Sequence, residues 1–354
     1  MNRELEHTVS FDHIIHLIEQ ARNRAVAHVN TELITLYFNV GKIVNEKVES
    51  AQWGSATVDQ LSEYISQKLP GIKGFNRRGL YRMKQFYESY NLRSETFRKW
   101  EELKENKEVK HESEFVSAVL TQISWTHHRF IISKTKTANE KLFYIKLSIN
   151  ERLGSRELER QLNSGLYERT LMADENVSAV RTQFEKPITN LFRDPYVFEF
   201  IDLPETHSEK DLEHALIANL KNFILEIGKG FSYMGNQYRL QVGNKDYYTD
   251  LLFYHRDLQC LVLFELKIQE FEPEFLGKLN FYLEALDRDV KRPHENPSIG
   301  VLLCKGKDSE VVEYAMARNT SPALIADYET KLIGREVLAN KLHELSEQLI
   351  KYDD

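Results

Sequence analysis

The stretch YYTDLLFYHRDLQCLVLFELK, residues 247–267, constrains the fold of this chain more than any other. It reads as two apolar strands joined by a short polar turn. Centring that turn on Asp257 and Leu258 makes antiparallel partners sum to 515, so Asp250 faces Glu265. Side chains alternate along a strand, which puts Lys267 on the face of Glu265. Two carboxylates opposite each other repel. Burying them is unfavourable unless positive charge sits between them. A divalent cation suits the place, because hard oxygen ligands match Mg²⁺. A cross-strand salt bridge of Lys267 with Asp250 or Glu265 is the alternative, and it leaves one carboxylate unpartnered.

The flanks say where this hairpin lies. Leu251, Leu252 and Phe253 precede the turn, and Leu261, Val262, Leu263 and Phe264 follow it. Strands apolar on both faces mark the centre of a sheet covered by helices. Around them the periodicity predicts a helix from about 209 to 227, strands at 237–243, 248–254 and 260–267, and a helix over 273–287. A strand at 299–304, a helix at 308–317, a strand at 323–327 and a last helix over 330–351 follow. The expected carboxy-terminal domain, 206–354, is thus a mixed sheet flanked by helices.

Upstream the pattern is helical. Residues 11–50 and 55–69 carry apolar residues at helical spacing, and Pro70, Gly71 and Gly74 mark a turn. Asn76 is placed to cap a third helix whose stripe is Leu80, Met83, Phe86 and Tyr87. Residues 91–114 are dense in charge and read as an insertion, a solvated helix or a mobile link. Helical patterns return over 115–172. Pro187, Pro195 and Pro204 place a linker at 173–205, which leaves 1–172 as a mostly helical amino-terminal domain.

The third helix carries Arg77, Arg78, Arg82 and Lys84 without an acid among them. With the helix and turn before it, it forms an expected helix–turn–helix, and its bases point to nucleic acid. Arg78 and Arg82, one turn apart, are the best pair for phosphates or bases. A solvated basic face is the plainer alternative. Trp125 with His127 and His128 invites a metal reading. Adjacent helical residues diverge, so a structural role is expected there.

Bulk properties set limits. A length of 354 residues suits two or three domains, with 42% hydrophobic and 29% charged residues. No apolar run of eighteen exists, so no membrane span is expected. The first residues lack a secretory leader's apolar stretch. Cys260 and Cys304 fall in apolar runs and read as buried thiols, which fits a cytoplasmic protein. No CxxC exists, which argues against a zinc ribbon. A net charge of −7 argues against coating nucleic acid by global charge but leaves room for a local basic surface.

The carboxy-terminal order resembles the restriction-endonuclease-like fold, and Asp250 … Glu265-Leu266-Lys267 resembles its PD-(D/E)XK signature. More closely, LEHALIANLKNFILEIGKGFSYMGNQYRL, DLLFYHRDLQCLV and FEPEFLGKLNFYL are similar to the YhcG-type family of bacterial nucleases. VNTELITLYFNVGK, GFNRRGLYRMKQFY and SWTHHRFI resemble that family's amino-terminal domain. The resemblance implies a metal-dependent endonuclease acting on DNA. Asp250, Glu265 and the backbone carbonyl of Leu266 would hold Mg²⁺ or Mn²⁺. Lys267 would orient or help deprotonate the attacking water, and Glu213 would add a direct or outer metal contact. A glutamate in a first helical turn also favours the helix dipole, which is the plainer reading of Glu213. Lys278 and Tyr282 share one face of the following helix, where some relatives in the wider superfamily carry Gln and Tyr. Lys278 is a candidate phosphate contact, and Gln237 on the first strand is another for the same surface. Leu153-Gly154 departs from the family, where a Trp is expected before the Ser-Arg pair. A catalytically idle nucleic-acid-binding or assembly protein and an RNA-directed nuclease are the alternatives, and a homo-oligomer stays open.

Overall fold

The computed structural model describes residues 2–52, 54–102, 112–176, 192–204, 206–334, 336–338, 340 and 342. The chain divides into two compact units, Met1–Leu162 and Asn163–Asp354.

The first unit is helical. It runs through α1 (Asn2–Glu49), α2 (Ser55–Lys68), α3 (Arg77–Tyr90), α4 (Glu95–Glu102), α5 (Glu112–Ala118), a 3₁₀ turn at Leu120–Gln122, α6 (Trp125–Lys134), α7 (Ala138–Glu151) and α8 (Ser155–Asn163). Asn76 caps α3 as its sequence predicts, its side chain accepting from the Gly79 amide at 2.8 Å. Gly41 does not break α1. It lies where α3 crosses, and a Cβ there would stand 2.0 Å from the Met83 carbonyl oxygen. Glycine permits that backbone approach. Gly79 does the same against the Gly74 carbonyl, which fixes the turn before α3.

Part of the charged segment differs from its expected solvated character. Phe97 and Trp100 on α4 are buried, and both pack on Phe115, with ring centroids at 5.5 and 4.6 Å. Two aromatics three residues apart share a helix face, and burying them outweighs the polar neighbours. Residues 103–111 of that segment lie outside the described residues.

The second unit is a sheet between two helical layers. It contains α9 (Leu166–Asn176), β1 (Tyr196–Val197), α10 (Glu209–Ala218), α11 (Leu220–Ile227), β2 (Phe231–Val242), β3 (Lys245–His255), β4 (Cys260–Leu266), α12 (Pro273–Ala285), a π-helical turn at Leu286–Val290, β5 (Ile299–Cys304), α13 (Ser309–Met316) and β6 (Ala323–Glu329). The sheet order is β1-β6-β5-β4-β3-β2. Strands β2, β3 and β4 are antiparallel, while β4, β5, β6 and β1 run parallel. In the β3–β4 hairpin Leu251 pairs Phe264 and His255 pairs Cys260, so partners sum to 515 as the turn predicts.

Alternate residues feed the two faces. Leu251, Phe253, Val262 and Phe264 pack on Leu212 and Leu216 of α10 and on Phe223 and Ile227 of α11. Leu252, Leu261, Leu263 and Leu302 pack on Leu276, Leu279 and Leu283 of α12. The helix expected over 209–227 is two helices broken at Asn219. Of the helix expected over 330–351, residues 336–338, 340 and 342 are described and helical, and the rest lie outside the described residues or before the helical part.

The expected boundary differs from the observed one. Residues 163–172 belong to the second unit, because Arg169 is fully buried there against Glu226. Arg169 also donates to the Pro195 carbonyl at 3.0 Å, and Glu226 accepts from the Val197 amide at 2.9 Å. Within the expected linker 173–205, Phe192, Tyr196, Phe198 and Ile201 are core residues, and β1 pairs with β6. Prolines mark an irregular path here, and the apolar residues between them hold that path inside. Residues 177–191 of the linker lie outside the described residues.

Candidate active site

The hairpin brings the signature residues together at the end of β3 and β4. Asp250 accepts a hydrogen bond from the Leu266 amide at 2.8 Å, so its carboxylate reaches across to the strand of Glu265. Glu265 is fully buried. Two lysines neutralise it. Lys278 of α12 bonds to Oε1 at 2.5 Å, and Lys267 stands 3.5 Å from the same oxygen. Lys267 also donates to the Leu266 carbonyl at 2.8 Å and to both oxygens of Glu209, at 3.1 and 3.2 Å. The ammonium lies 5.6 Å from the Phe275 ring centroid. The expected alternative of a salt bridge for Lys267 therefore exists, with Glu265, and a second cation joins it.

Burial raises the Asp250 carboxyl above the usual carboxylate range, and the Glu265 charge beside it raises it further. The Leu266 amide and the two lysines pull the other way without cancelling that. For Lys278, burial opposes the charge, but the bond to Glu265 outweighs it, and the ammonium is held more firmly protonated than usual.

The flanking candidates take different places. Glu213 is buried on α10, and its oxygens accept from Asn236 Nδ2 at 2.8 Å and Gln237 Nε2 at 2.5 Å. Those amides hold it. Gln237, expected on the nucleic-acid surface, spends its side-chain amide on Glu213 and adopts a left-handed backbone, φ 47°. Tyr282, the other candidate for that nucleic-acid surface, is buried and packs in the α12 core. Its ring lies 5.3 Å from Lys278, which it helps to place. Glu209 was missed by sequence reasoning. It sits one helical turn before Glu213, and that spacing is the signal that could have found it.

Among the described residues no group of three or more His, Cys, Asp or Glu side chains is placed to hold a metal. Two carboxylates and a carbonyl still make a fitting donor set for Mg²⁺, which is commonly held by one or two carboxylates with water completing the shell. Glu265 Oε2 is buried with no hydrogen-bond partner. A buried carboxylate oxygen left bare is unfavourable, and a cation would satisfy it.

In the amino-terminal unit the four bases of α3 separate into two kinds. Arg77 pairs with Asp59 at 3.3 Å, and Lys84 pairs with Glu88. Among the described residues, no carboxylate pairs with Arg78 or Arg82. His127 and His128 diverge as expected. His127 bonds Ser124 Oγ and the Leu153 carbonyl, and His128 bonds the Leu120 carbonyl at 2.8 Å. Burial pushes His128 down to about 4, so it stays neutral. The Leu153 carbonyl lies at the point where the sequence departs from the family's pattern.

Comparison with known proteins covers both units. Residues 189–344 match a family model described as the YhcG PDDEXK nuclease domain, and residues 13–169 match one described as the DUF1016 N-terminal domain. A protein of Escherichia coli (strain K12), named "Putative nuclease YhcG", is 31% identical over 348 residues, spanning 94% of this chain and 92% of that one. Among solved structures, a repair endonuclease from Pyrococcus abyssi aligns at TM-score 0.25 and 12% identity, over 37% of this chain and 49% of that one. EndoMS in apo form aligns at TM-score 0.25 and 17% identity, over 37% and 48%.

Proposed function

This chain belongs to the YhcG-type family of PDDEXK nucleases, and on that premise we propose that it is a metal-dependent endonuclease hydrolysing phosphodiester bonds of DNA. The observation that carries the reading is the convergence of Asp250, Glu265 and Lys267, with one buried Glu265 oxygen left bare. Asp250, Glu265 and the Leu266 carbonyl would hold Mg²⁺ or Mn²⁺. That ion would polarise the scissile phosphate and make a bound water more acidic.

The chain's own groups do the rest. Lys267 reaches the Leu266 carbonyl and Glu265, so its ammonium stands beside the donor set, where it can orient the attacking water or contact the phosphate. Glu209 pairs with the same ammonium. Lys278, half exposed at Glu265, is the candidate contact for a neighbouring phosphate. Glu213, with Asn236 and Gln237, braces the β2 backbone next to Asp250. Arg78 and Arg82 of α3 are the candidate nucleic-acid contacts of the amino-terminal module. Arg77 and Lys84 stand with their acids at its margin.

The test is a cleavage panel of linear duplex DNA, branched DNA and RNA with and without Mg²⁺ or Mn²⁺, run beside Asp250→Ala, Glu265→Ala and Lys267→Ala. Metal-dependent DNA cleavage lost in all three folded variants is the expected result. Cleavage of RNA alone would move the substrate. A catalytically idle binding protein is the competing reading, and the Lys278–Glu265 pair favours it, since a lysine already neutralises that carboxylate. Nucleic-acid binding without cleavage under any metal would establish it.

A further inference from the structure

We propose that Arg78, Arg82 and Arg129 form a grip for the phosphate backbone of duplex DNA, built across α3 and α6 of the amino-terminal unit. The inference rests on the proposed DNA substrate and goes beyond it. It adds a residue from a second helix and assigns the grip to phosphates rather than bases.

The packing of α6 on α3 makes the cluster. Phe86 of α3 packs against Trp125 and His128 of α6, with centroids at 5.3 and 4.8 Å. His128 is anchored by its bond to Leu120 and His127 by its bond to Leu153, so α6 is held in rotation as well as position. Arg129 lies one turn after Trp125 and Arg82 one turn before Phe86, so the contact of those two rings brings the two arginine-bearing turns together, with Arg78 one turn earlier on α3. Burial and these two like charges together lower the Arg82 pKa, a direction arginine resists.

The neighbouring bases set this arrangement apart. Arg77 and Lys84, on the same helix, have acids beside them at Asp59 and Glu88. Among the described residues no acid is paired with Arg78, Arg82 or Arg129. Like charges held close together repel, and an anion between them relieves that repulsion. Guanidinium forks match phosphate oxygens in bidentate geometry and stay charged at any working pH. The trio spans two helices instead of lining one, which suits successive phosphates along a strand more than base edges in a groove. Contacts of this kind position the protein and carry no sequence information.

The experiment measures binding apart from cleavage. Full-length protein carrying Asp250→Ala, in EDTA, is titrated against a fluorescent DNA duplex over a range of KCl concentrations. The same is done with Arg78→Gln, Arg82→Gln and Arg129→Gln combined, and with the three Lys replacements combined. Each phosphate that the protein no longer neutralises should flatten the slope of log K against log[salt] by about 0.9. The Gln set is expected to flatten it by about two to three and to weaken binding similarly for unrelated duplex sequences. The Lys set is expected to restore most of the slope, because charge is retained. An unchanged slope in the Gln set, with its melting temperature also unchanged, overturns the proposal. So does an effect confined to one duplex sequence, or binding to an RNA duplex and not to DNA. A failure to cleave would sink the nuclease reading and leave this binding result standing.

Discussion

Asp250 and Glu265 in the carboxy-terminal unit, and Arg78, Arg82 and Arg129 in the amino-terminal unit, are both gatherings of like charge, yet the chain treats them differently. Glu265 is fully buried and Asp250 half-buried beside it, and the lysines are supplied from inside: Lys267 from its own strand end and Lys278 from α12. Of the basic trio Arg78 is exposed and Arg82 and Arg129 are half-exposed, with no counter-charge among the described residues. The difference follows from solvent. A buried carboxylate without a partner would destabilise the unit by several kcal/mol, so the fold must provide one. Surface charges are screened by water and can wait for a ligand. On the proposed reading the acidic site would exchange one cation for another when it works, whereas the basic site would gain a partner it did not have.

The largest expected effect tests the acidic side. Glu265→Ala should cut cleavage by about 10³-fold or more, since it removes the carboxylate both lysines face. Single-turnover cleavage with a folding control measures it, and near-normal activity would break the contrast. Next comes metal removal. At a hundredfold excess over its dissociation constant, Mg²⁺ should stabilise the fold by about 2.7 kcal/mol. That is a rise of roughly 5–10 °C in melting temperature for a unit of this size. The pH dependence has a defined sign. Asp250's folded pKa is raised, so its contribution to the metal-free protein is greatest at low pH and is lost as pH rises through that value. The Mg²⁺ increment should therefore grow from about pH 6 to about pH 8, and a flat increment would count against Asp250 as a ligand.

A smaller effect is expected at the rim. Glu209→Gln should lower the cleavage rate about 10-fold with little change in affinity for DNA, because it frees the ammonium of Lys267. Its pH–rate profile should shift, whereas a merely structural loss would leave the profile alone. The smallest effect is Asp59→Asn. The Arg77–Asp59 pair is exposed on both sides, so stability should change by less than about 0.5 kcal/mol in chemical denaturation. A larger loss would mean that surface charge in this unit does matter to folding.

Much of the second unit was legible because its signals are local. The turn at Asp257 and Leu258 sets the register of β3 and β4, and Ile299–Cys304 stands as an uninterrupted apolar strand. Asn76 marks the start of α3 for the same reason. What escaped depends on partners far away in sequence. Glu209 meets Lys267 across 58 positions, and its spacing from Glu213 marks a shared helix face without naming that partner. Arg129 gains meaning only when α6 lies on α3. Tyr196 and Val197 form a strand too short to read, made by pairing with β6. Phe97 and Trp100 are hidden by the charges around them, although their spacing alone puts both on one helix face.

The Arg169–Glu226 pair has a practical corollary for anyone dissecting this protein. A fragment begun at residue 206 would shed the guanidinium and the β1 edge while retaining Glu226, stranding an ionised group inside an apolar layer. Excision of the nuclease half should start no later than Asn163, ahead of α9, so that the arginine travels with the sheet it locks.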